Sequence, residues 1–359
     1  MCRSKETRKE FFVMAMADEI RSAPRYKPVE KKKKSFAETF IPMKGDNSKE
    51  IVSKVIALIA ILALIVCGVV LGFYFYHIYE AKQTNKDIRV IRNQVQQSSG
   101  TAQAETSAGT QVGEDGEIVR APLVPLPFAE EMLEINPDYV GYVSIPDRLS
   151  EAVVQYTDND YYLKKDIYNR TRSCGTVFAD YRDNVSDYAD LQSDNIILYG
   201  HNQRDGTMFG ELDYYKWDYK YWLKNPFIYF DNKYEQSTYV IIASFVINTE
   251  PEHDNGYVFD YHNYINFTKS HPFETFIKEI NERSHFITGI DATEDDKYIT
   301  LSTCSYEWEP ARHIIIGRKL RAGETVENID LSGFAVNPNP KWPAVYYKYN
   351  GGAYVEPSE

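Results

Sequence analysis

A cysteine and an arginine share one short stretch of the chain, TLSTCSYEWEPAR, in which Cys304 ends a strand-like run and Arg312 follows eight residues later. If the flanking runs pair as a symmetric hairpin, the two residues lie opposite each other and point to the same face. Alternation then places His313 on the other face. A thiol with a pKa of about 8.5 is mostly protonated at neutral pH, so a nucleophilic cysteine usually needs a nearby cation or base. Arg312 can supply the cation, but it cannot be a general base because it does not release its proton.

The general base must therefore come from elsewhere among the seven histidines. His201 is favoured because an apolar run, NIILYG, leads directly into it and a polar loop follows. A loop at a strand end can hold a catalytic side chain and still expose it. The simpler interpretation is an inert buried thiol and a structural histidine. We expect Cys304, His201 and Arg312 to form one catalytic site.

An uncharged segment, Val55–Tyr76, predicts that this body is attached to a membrane. About 20 apolar residues span a bilayer, and no cleavage site of a removable signal peptide follows. We therefore predict a transmembrane helix over 51–79. Lysines are frequent before it, including Lys31–Lys34, which favours a cytoplasmic tail over 1–50 and an external C-terminal body. The lysine run either sets this topology or binds anionic lipid.

The net charge of −12 must come from the external body, because the tail is basic. An acidic body argues against nucleic acid as a partner. Of the four cysteines, Cys2 lies in the tail and Cys67 in the apolar segment. Only Cys174 and Cys304 remain outside, too few for a secreted disulfide scaffold.

Short strands separated by turns dominate the part of the chain after a stalk and low-complexity linker over 80–121. A short helix ending at Asn136–Pro137 precedes the first strand. A longer helix, with Ser270 as its expected N-cap and Pro272 in its first turn, interrupts the series. The strands are predicted at 139–145, 152–156, 175–180, 195–200, 227–230, 237–247, 298–304 and 313–320. The pattern indicates a mainly β fold with appended helices, in a closed or nearly closed barrel.

TLSTC with a following arginine, and YGHN upstream, resemble the signature of the sortases, the cysteine transpeptidases of Gram-positive cell surfaces. The segments EINPDYVGYVSIPD, VVQYTDNDYYL, GTVFADYRD and NIILYGHNQRDGTMFGEL resemble class B sortases, so the similarity covers residues 125–322. The resemblance implies an eight-stranded sortase β-barrel with an N-terminal helix and a long helix, here 271–284, before the catalytic strand. The catalytic domain would occupy 122–322. The extension over 323–359 is then either a disordered tail or a strap that packs through its tyrosines.

The resemblance also implies a reaction. Cys304 would attack the Thr carbonyl of a sorting pentapeptide and form a thioacyl enzyme. His201 would protonate the leaving amine and later deprotonate the incoming amine, while Arg312 steadies the substrate and the oxyanion. No metal or other cofactor is expected. The implied partners are surface proteins bearing a sorting signal and an amine of peptidoglycan or of its lipid-linked precursor.

By the same resemblance, four further residues should line the peptide groove, namely Asn159, Leu163, Tyr199 and Ser302. Cys174 occupies a place where a small residue such as serine is expected. It is predicted to be a structural thiol, with a redox-sensitive bond to Cys304 as the alternative.

Two other functions remain open from the sequence. A pilin-polymerising sortase would use a lysine of another subunit as its amine. A surface binding module that retains the fold without catalysis would carry an unreactive Cys304.

Overall fold

A computed structural model describes residues 35–98, 110–112 and 118–352. The chain divides into two compact units, Met1–Gly72 and Phe73–Glu359. The lysine run at 31–34 and most of the Ser- and Thr-rich linker lie outside the described residues. The assignment of 1–50 to a cytoplasmic tail therefore stays a prediction.

Two helices belong to the N-terminal part of the chain. Helix α1 (Phe36–Phe40) begins at a capping box between Ser35 and Glu38. Helix α2 (Ser48–Ser98) begins at a similar reciprocal pair, in which Glu50 N donates to Asn47 Oδ1 over 2.9 Å and Asn47 N donates to Glu50. Among the described residues, α2 is the one helix long and apolar enough to cross a bilayer, and its apolar window is not buried by protein. It is a candidate membrane span, as the uncharged run predicts.

Eight strands close into the predicted barrel, in the order β10-β11-β8-β7-β3-β4-β5-β6. The pairs β4–β5 and β6–β10 are parallel and the other neighbours are antiparallel. Two small antiparallel pairs, β1–β2 and β9–β12, lie outside the barrel. In chain order the strands are β1 (Thr110–Val112), β2 (Ile118–Arg120), β3 (Tyr139–Ile145), β4 (Leu149–Val154), β5 (Val177–Ala179), β6 (Asn195–Tyr199), β7 (Phe227–Asn232), β8 (Gln236–Asn248), β9 (Phe286–Ile287), β10 (Tyr298–Ser305), β11 (Ala311–Lys319) and β12 (Ala335–Val336).

Apolar side chains fill the barrel and also cover part of its outside. Alternate residues such as Leu301 and Ile315 point into the interior core. Their neighbours Ile314 and Ile316 point outward, against a second core that helix α6 (Phe273–Arg283) covers. The strands buried on both faces therefore show long apolar runs rather than strict alternation. The remaining helices are α3 (Pro127–Ile135), α4 (Tyr214–Trp217), α5 (Tyr219–Lys224), α6 (Phe273–Arg283) and α7 (Ala344–Asn350).

The start of α6 corrects one prediction. The N-cap is Pro272, without a side-chain cap bond, and not Ser270. Ser270 lies inside a turn that Thr268 and His271 close through backbone hydrogen bonds of 3.1 Å in both directions. Pro272 has an extended backbone, with φ −71° and ψ 147°, so the helix begins one residue after it and Pro272 precedes the first turn that it was predicted to occupy.

The end of α2 packs against the barrel within the second unit. Ile88 is buried with Met132 and neighbouring aromatic rings of the strands. Asn85 donates to Glu151 over 2.8 Å, and Arg92 pairs with Asp231 at 2.7 Å. This part of α2 is thus a packed component of the second unit.

Candidate active site

Cys304 and Arg312 are directly opposed in the β10–β11 hairpin, as predicted. Cys304 is exposed, whereas Arg312 is partly buried. His313 pairs with Thr303 and is fully buried, with its Nε2 atom 2.9 Å from Ser244 Oγ. Burial holds the pKa of His313 well below its ordinary value, so this imidazole is neutral. Thiol and guanidinium share the outer face of the barrel wall, and His313 lies on the inner one.

His201 follows β6, which runs parallel to β10 with Tyr199 beside Ser302. Two hydrogen bonds continue this pairing beyond the strand. Gly200 N donates to Ser302 O over 3.2 Å, and Thr303 Oγ1 donates to Gly200 O over 2.7 Å. A Cβ atom on Gly200 would lie 2.8 Å from the Phe209 ring, so the close approach requires glycine. The backbone before His201 is thereby fixed against the strand that carries the cysteine.

The tautomer of His201 follows from a hydrogen bond of its ring. Its Nε2 atom lies 3.0 Å from Leu163 O. A carbonyl oxygen can only accept, so Nε2 must carry the hydrogen. In the neutral ring, Nδ1 is then the nitrogen with the free lone pair. This is the atom that can take and return a proton.

All three predicted catalytic residues line one cavity of about 530 Å³. Its floor includes a row across neighbouring strands in which Cys304 pairs with Arg312 and Arg312 with Ile247. The segments after β4 and after β8 supply further lining, with Asn159, Asp160 and Leu163 from the first and Thr249 and Val258–His262 from the second. The ends of β6, β8, β10 and β11, together with the connections after β4 and after β8, therefore bring the lining residues together.

A buried carboxylate lies next to the cavity and orders the side chains around it. Asp180 is completely buried and accepts from Tyr199 Oη over 3.0 Å, from Asn159 Nδ2 over 3.1 Å and from Arg182. Burial would raise the pKa of Asp180, but the hydrogen bonds from Arg182 and Asn159 outweigh it and hold that pKa below its ordinary value. Asp180 is thus an ionised anchor for Tyr199 and Asn159.

The four predicted groove residues take different places. Asn159, Leu163 and Tyr199 line the cavity. Ser302 is fully buried, and its hydroxyl is 2.7 Å from that of Tyr261. Since Tyr261 itself lines the cavity, Ser302 supports the cavity wall from behind. A contact of these four residues with a peptide stays a prediction.

The sequence reasoning missed Asn202, which links the loop that carries His201 to the strand that carries Cys304. Its Nδ2 group donates to Cys304 O over 2.9 Å and to Asp213 Oδ1 over 2.8 Å. Lys216 Nζ is in turn 3.0 Å from the same Asp213 oxygen. The signal was present in the sequence, because Asn202 directly follows His201, but its partners are 11 and 102 residues away.

The buried Lys216 also fixes the turn between the catalytic strands. Its ammonium donates to Ser305 Oγ over 3.0 Å and to Glu307 Oε1 over 2.8 Å. Burial would raise the pKa of Glu307, but hydrogen bonds from Lys216 and Ser305 hold it below its ordinary value. Trp308, in the same turn, is buried beneath helix α7. Glu307 and Trp308 therefore anchor the turn on two different sides.

Cys174 is a free, buried thiol away from the cavity. It packs in the barrel core, and burial raises its pKa. Its side chain borders a small space beneath helix α2, together with Thr84 and Glu151. Cys174 and Cys304 are both free thiols in this structure, so the alternative, a disulfide between them, is not formed here.

Comparisons with known proteins give one family. Residues 185–320 match the family model described as the sortase domain. Sortase B of Listeria monocytogenes is 29% identical over 191 residues, covering 52% of this chain and 72% of the relative. Sortase B of Staphylococcus aureus is 29% identical over 199 residues, covering 54% and 75%. The crystal structure of sortase B from B. anthracis in complex with AAEK1 has a TM-score of 0.51 at 23% identity, covers 69% of this chain and 99% of its own, and shows the fold.

Proposed function

This chain is a member of the sortase family of cysteine transpeptidases, and we propose that it cleaves a C-terminal sorting signal after Thr and transfers the protein to an amine of the cell wall. The observation that carries the proposal is the direct pairing of Cys304 with Arg312 in a cavity that His201 also lines. The wall amine would belong to peptidoglycan or its lipid-linked precursor.

In the first half-reaction, Cys304 loses its proton to His201 Nδ1 and the thiolate attacks the Thr carbonyl carbon. The carbonyl oxygen becomes an oxyanion, which the Arg312 guanidinium stabilises with hydrogen bonds and charge. The C–N bond then breaks, and His201 returns the proton to the leaving amine. The product is a thioester between the Thr carbonyl and Cys304.

In the second half-reaction, the acceptor amine attacks the thioester carbonyl and gives a proton to His201. The C–S bond breaks, the Cys304 thiolate leaves, and it takes back a proton from His201 to restore the starting thiol. The new bond is an amide, so the energy of the original peptide bond is conserved in the product. Because Asn159, Leu163 and Tyr199 line the same cavity as the nucleophile, they are proposed to bind the signal on the acyl side.

The membrane placement is part of the proposal. Helix α2 is a candidate membrane span, and the basic residues before it support a cytoplasmic N-terminus and an external catalytic body. Anchoring there would keep the enzyme where exported proteins and wall precursors meet.

The test is to incubate the detergent-solubilised chain with a library of Thr-containing sorting peptides and an amine, with Cys304→Ala as control. Amide product from the unaltered chain alone supports the proposal, whereas equal turnover by both proteins removes Cys304 as the nucleophile. Mass spectrometry of the natural product separates the two fates of the thioester. A peptidoglycan fragment supports wall anchoring, and an isopeptide between proteins supports polymerisation instead.

A further inference from the structure

The chain beyond the barrel folds back onto the hairpin of β10 and β11 from the face opposite Cys304 and Arg312, because it packs against Val246 and Ala311, which point the same way as His313. We call residues 335–350, which include β12 and α7, the C-terminal strap. Strand β12 pairs with β9. Asn337 N donates to His285 O over 2.9 Å, and Lys341 N donates to Glu282 O over 2.8 Å. These bonds tie the first half of the strap to the end of α6 and the strand that follows it.

The second half of the strap covers the turn between the catalytic strands. Trp342 and Val345 form one buried cluster with Trp308 and Ala311 of the turn and Val246 of β8. Trp342 stacks between His285, at a ring distance of 4.5 Å, and Tyr346, at 4.0 Å. Ala311 is the residue before Arg312, so the strap packs against the backbone that carries the guanidinium.

The strap also contacts the cavity-lining connection after β8. Ala344 N, in the first turn of α7, donates to Asp254 Oδ1 over 2.8 Å. Asp254 is buried and lies between two groups of cavity-lining residues, five residues after Thr249 and four before Val258. Lys341 Nζ lies over the Tyr257 ring at 5.7 Å. One element therefore holds two separate parts of the site.

From these contacts we infer that the C-terminal strap is a positioning element of the active site. One of its contacts supports the catalytic residues, and another supports the residues that bind substrate. Through Trp342 it fixes the turn, and with it the geometry of the Cys304–Arg312 pair. Through its bond to Asp254 it fixes the lining connection. The inference rests on the proposed function, because it assigns the strap to the same cavity.

The two contacts predict separable kinetic effects. Misplacing the hairpin should slow the chemical step, so Trp342→Ala should lower kcat about 10-fold with KM within about twofold. Loosening the lining should weaken peptide binding, so Asp254→Ala should raise KM about threefold or more with little change in kcat. Trp342→Phe should restore most of kcat. Tyr349→Ala, on helix α7 of the strap with a side chain 66% exposed, is the matched control.

The assays use the full chain in detergent, the most rapidly cleaved peptide of a Thr-containing library, and the folded fraction measured by circular dichroism at the assay temperature. Iodoacetamide alkylation of Cys304 is a second, peptide-independent measurement, and Trp342→Ala should change its rate about threefold or more. Losses that scale only with the folded fraction, or equal losses in Tyr349→Ala, overturn the inference. So do kcat and alkylation rates unchanged by Trp342→Ala.

Failure of the proposed function looks different. In that case the unaltered chain cleaves no library peptide, while a changed alkylation rate in Trp342→Ala still supports the strap as a positioning element. If Trp342→Ala does not fold, Asp254→Ala decides, since it leaves the aromatic cluster intact. A KM unchanged by Asp254→Ala then overturns the inference.

Discussion

Asn202 donates one side-chain amide group to two acceptors, the backbone carbonyl of Cys304 and the carboxylate of Asp213. It directly follows His201, so the nucleophile and the proposed general base are joined through a single neighbouring side chain. The arrangement makes the relative position of thiol and imidazole depend on a residue that need not touch substrate.

Replacing Asn202 by alanine should therefore lower kcat about 10-fold while leaving KM nearly unchanged, because a small misplacement of reacting groups slows chemistry more than binding. Steady-state kinetics of peptide cleavage give both values. Asn225→Ala, which removes a bond to Tyr221 O within helix α5 and its cap, is the control. A kcat for Asn202→Ala equal to that of the control would show that the link is not needed.

Arg312 is expected to act through geometry as well as charge. Arg312→Lys keeps the charge but loses the planar set of donors, so turnover should fall about 100-fold or more. Arg172→Lys, at a residue paired with Glu80, controls for the loss of a guanidinium elsewhere. Near-normal turnover in Arg312→Lys would reduce its role to that of a general positive charge.

Lys216 should be important for stability. Replacing it by methionine leaves Asp213 and Glu307 without their shared cation. Breaking a fully buried ion pair costs about 3–5 kcal/mol in the free energy of unfolding, but the Asp213 side chain is 38% exposed and that of Glu307 15%, so we expect a smaller loss of about 1–3 kcal/mol. Denaturant unfolding of Lys216→Met and of Lys220→Met, an exposed lysine on α5, gives the comparison. Equal midpoints for the two variants would contradict the prediction.

Glu151 should make the docking of α2 depend on pH. Burial raises the pKa of Glu151 from 4.5 to about 7, although the Arg89 charge, a backbone hydrogen bond from Met208 and a side-chain hydrogen bond from Asn85 act in the opposite direction. Between these values the folded protein binds more protons than the unfolded chain, so the free energy of unfolding falls as pH rises. The full shift corresponds to about 3 kcal/mol.

Thermal unfolding of the detergent-solubilised chain between pH 5 and pH 8 should accordingly show a falling midpoint, and Glu151→Gln should flatten this dependence. Glu130→Gln, at an exposed position on α3, should leave it unchanged. If the Glu151→Gln curve has the same slope as that of the unaltered chain, the raised pKa is not the cause.

Much of this architecture could be predicted from the sequence because it depends on local patterns. Pairing of the runs around TLSTC and RHIII requires only alternation and a turn, so the Cys304–Arg312 register and the position of His313 on the opposite face were predicted and are confirmed. The helix before the catalytic strand was predicted within two residues, although the expected Ser270 cap was wrong because the backbone is still extended at Pro272.

What the sequence did not predict depends on contacts between distant residues. Nothing in the pattern around Lys216 indicates that it will be buried beneath Glu307, 91 residues later. The sequence could not decide whether the C-terminal extension is a disordered tail or a packed strap. Trp342 and Trp308 come into contact only in the folded barrel, so their shared cluster has no local sequence signal. Ser302 shares strand and face with Cys304, but Tyr261 from the connection after β8 covers it.

The central claim is that Cys304 carries the acyl group during transfer. The most direct measurement is the intact mass of the detergent-solubilised chain, quenched with acid during turnover of a cleaved sorting peptide, followed by peptide mapping. The account predicts a mass increase equal to the peptide up to its Thr, located on Cys304, that disappears when an amine is added and is absent in Cys304→Ala. Turnover without any adduct on Cys304, or an adduct mapped to another residue, would contradict it.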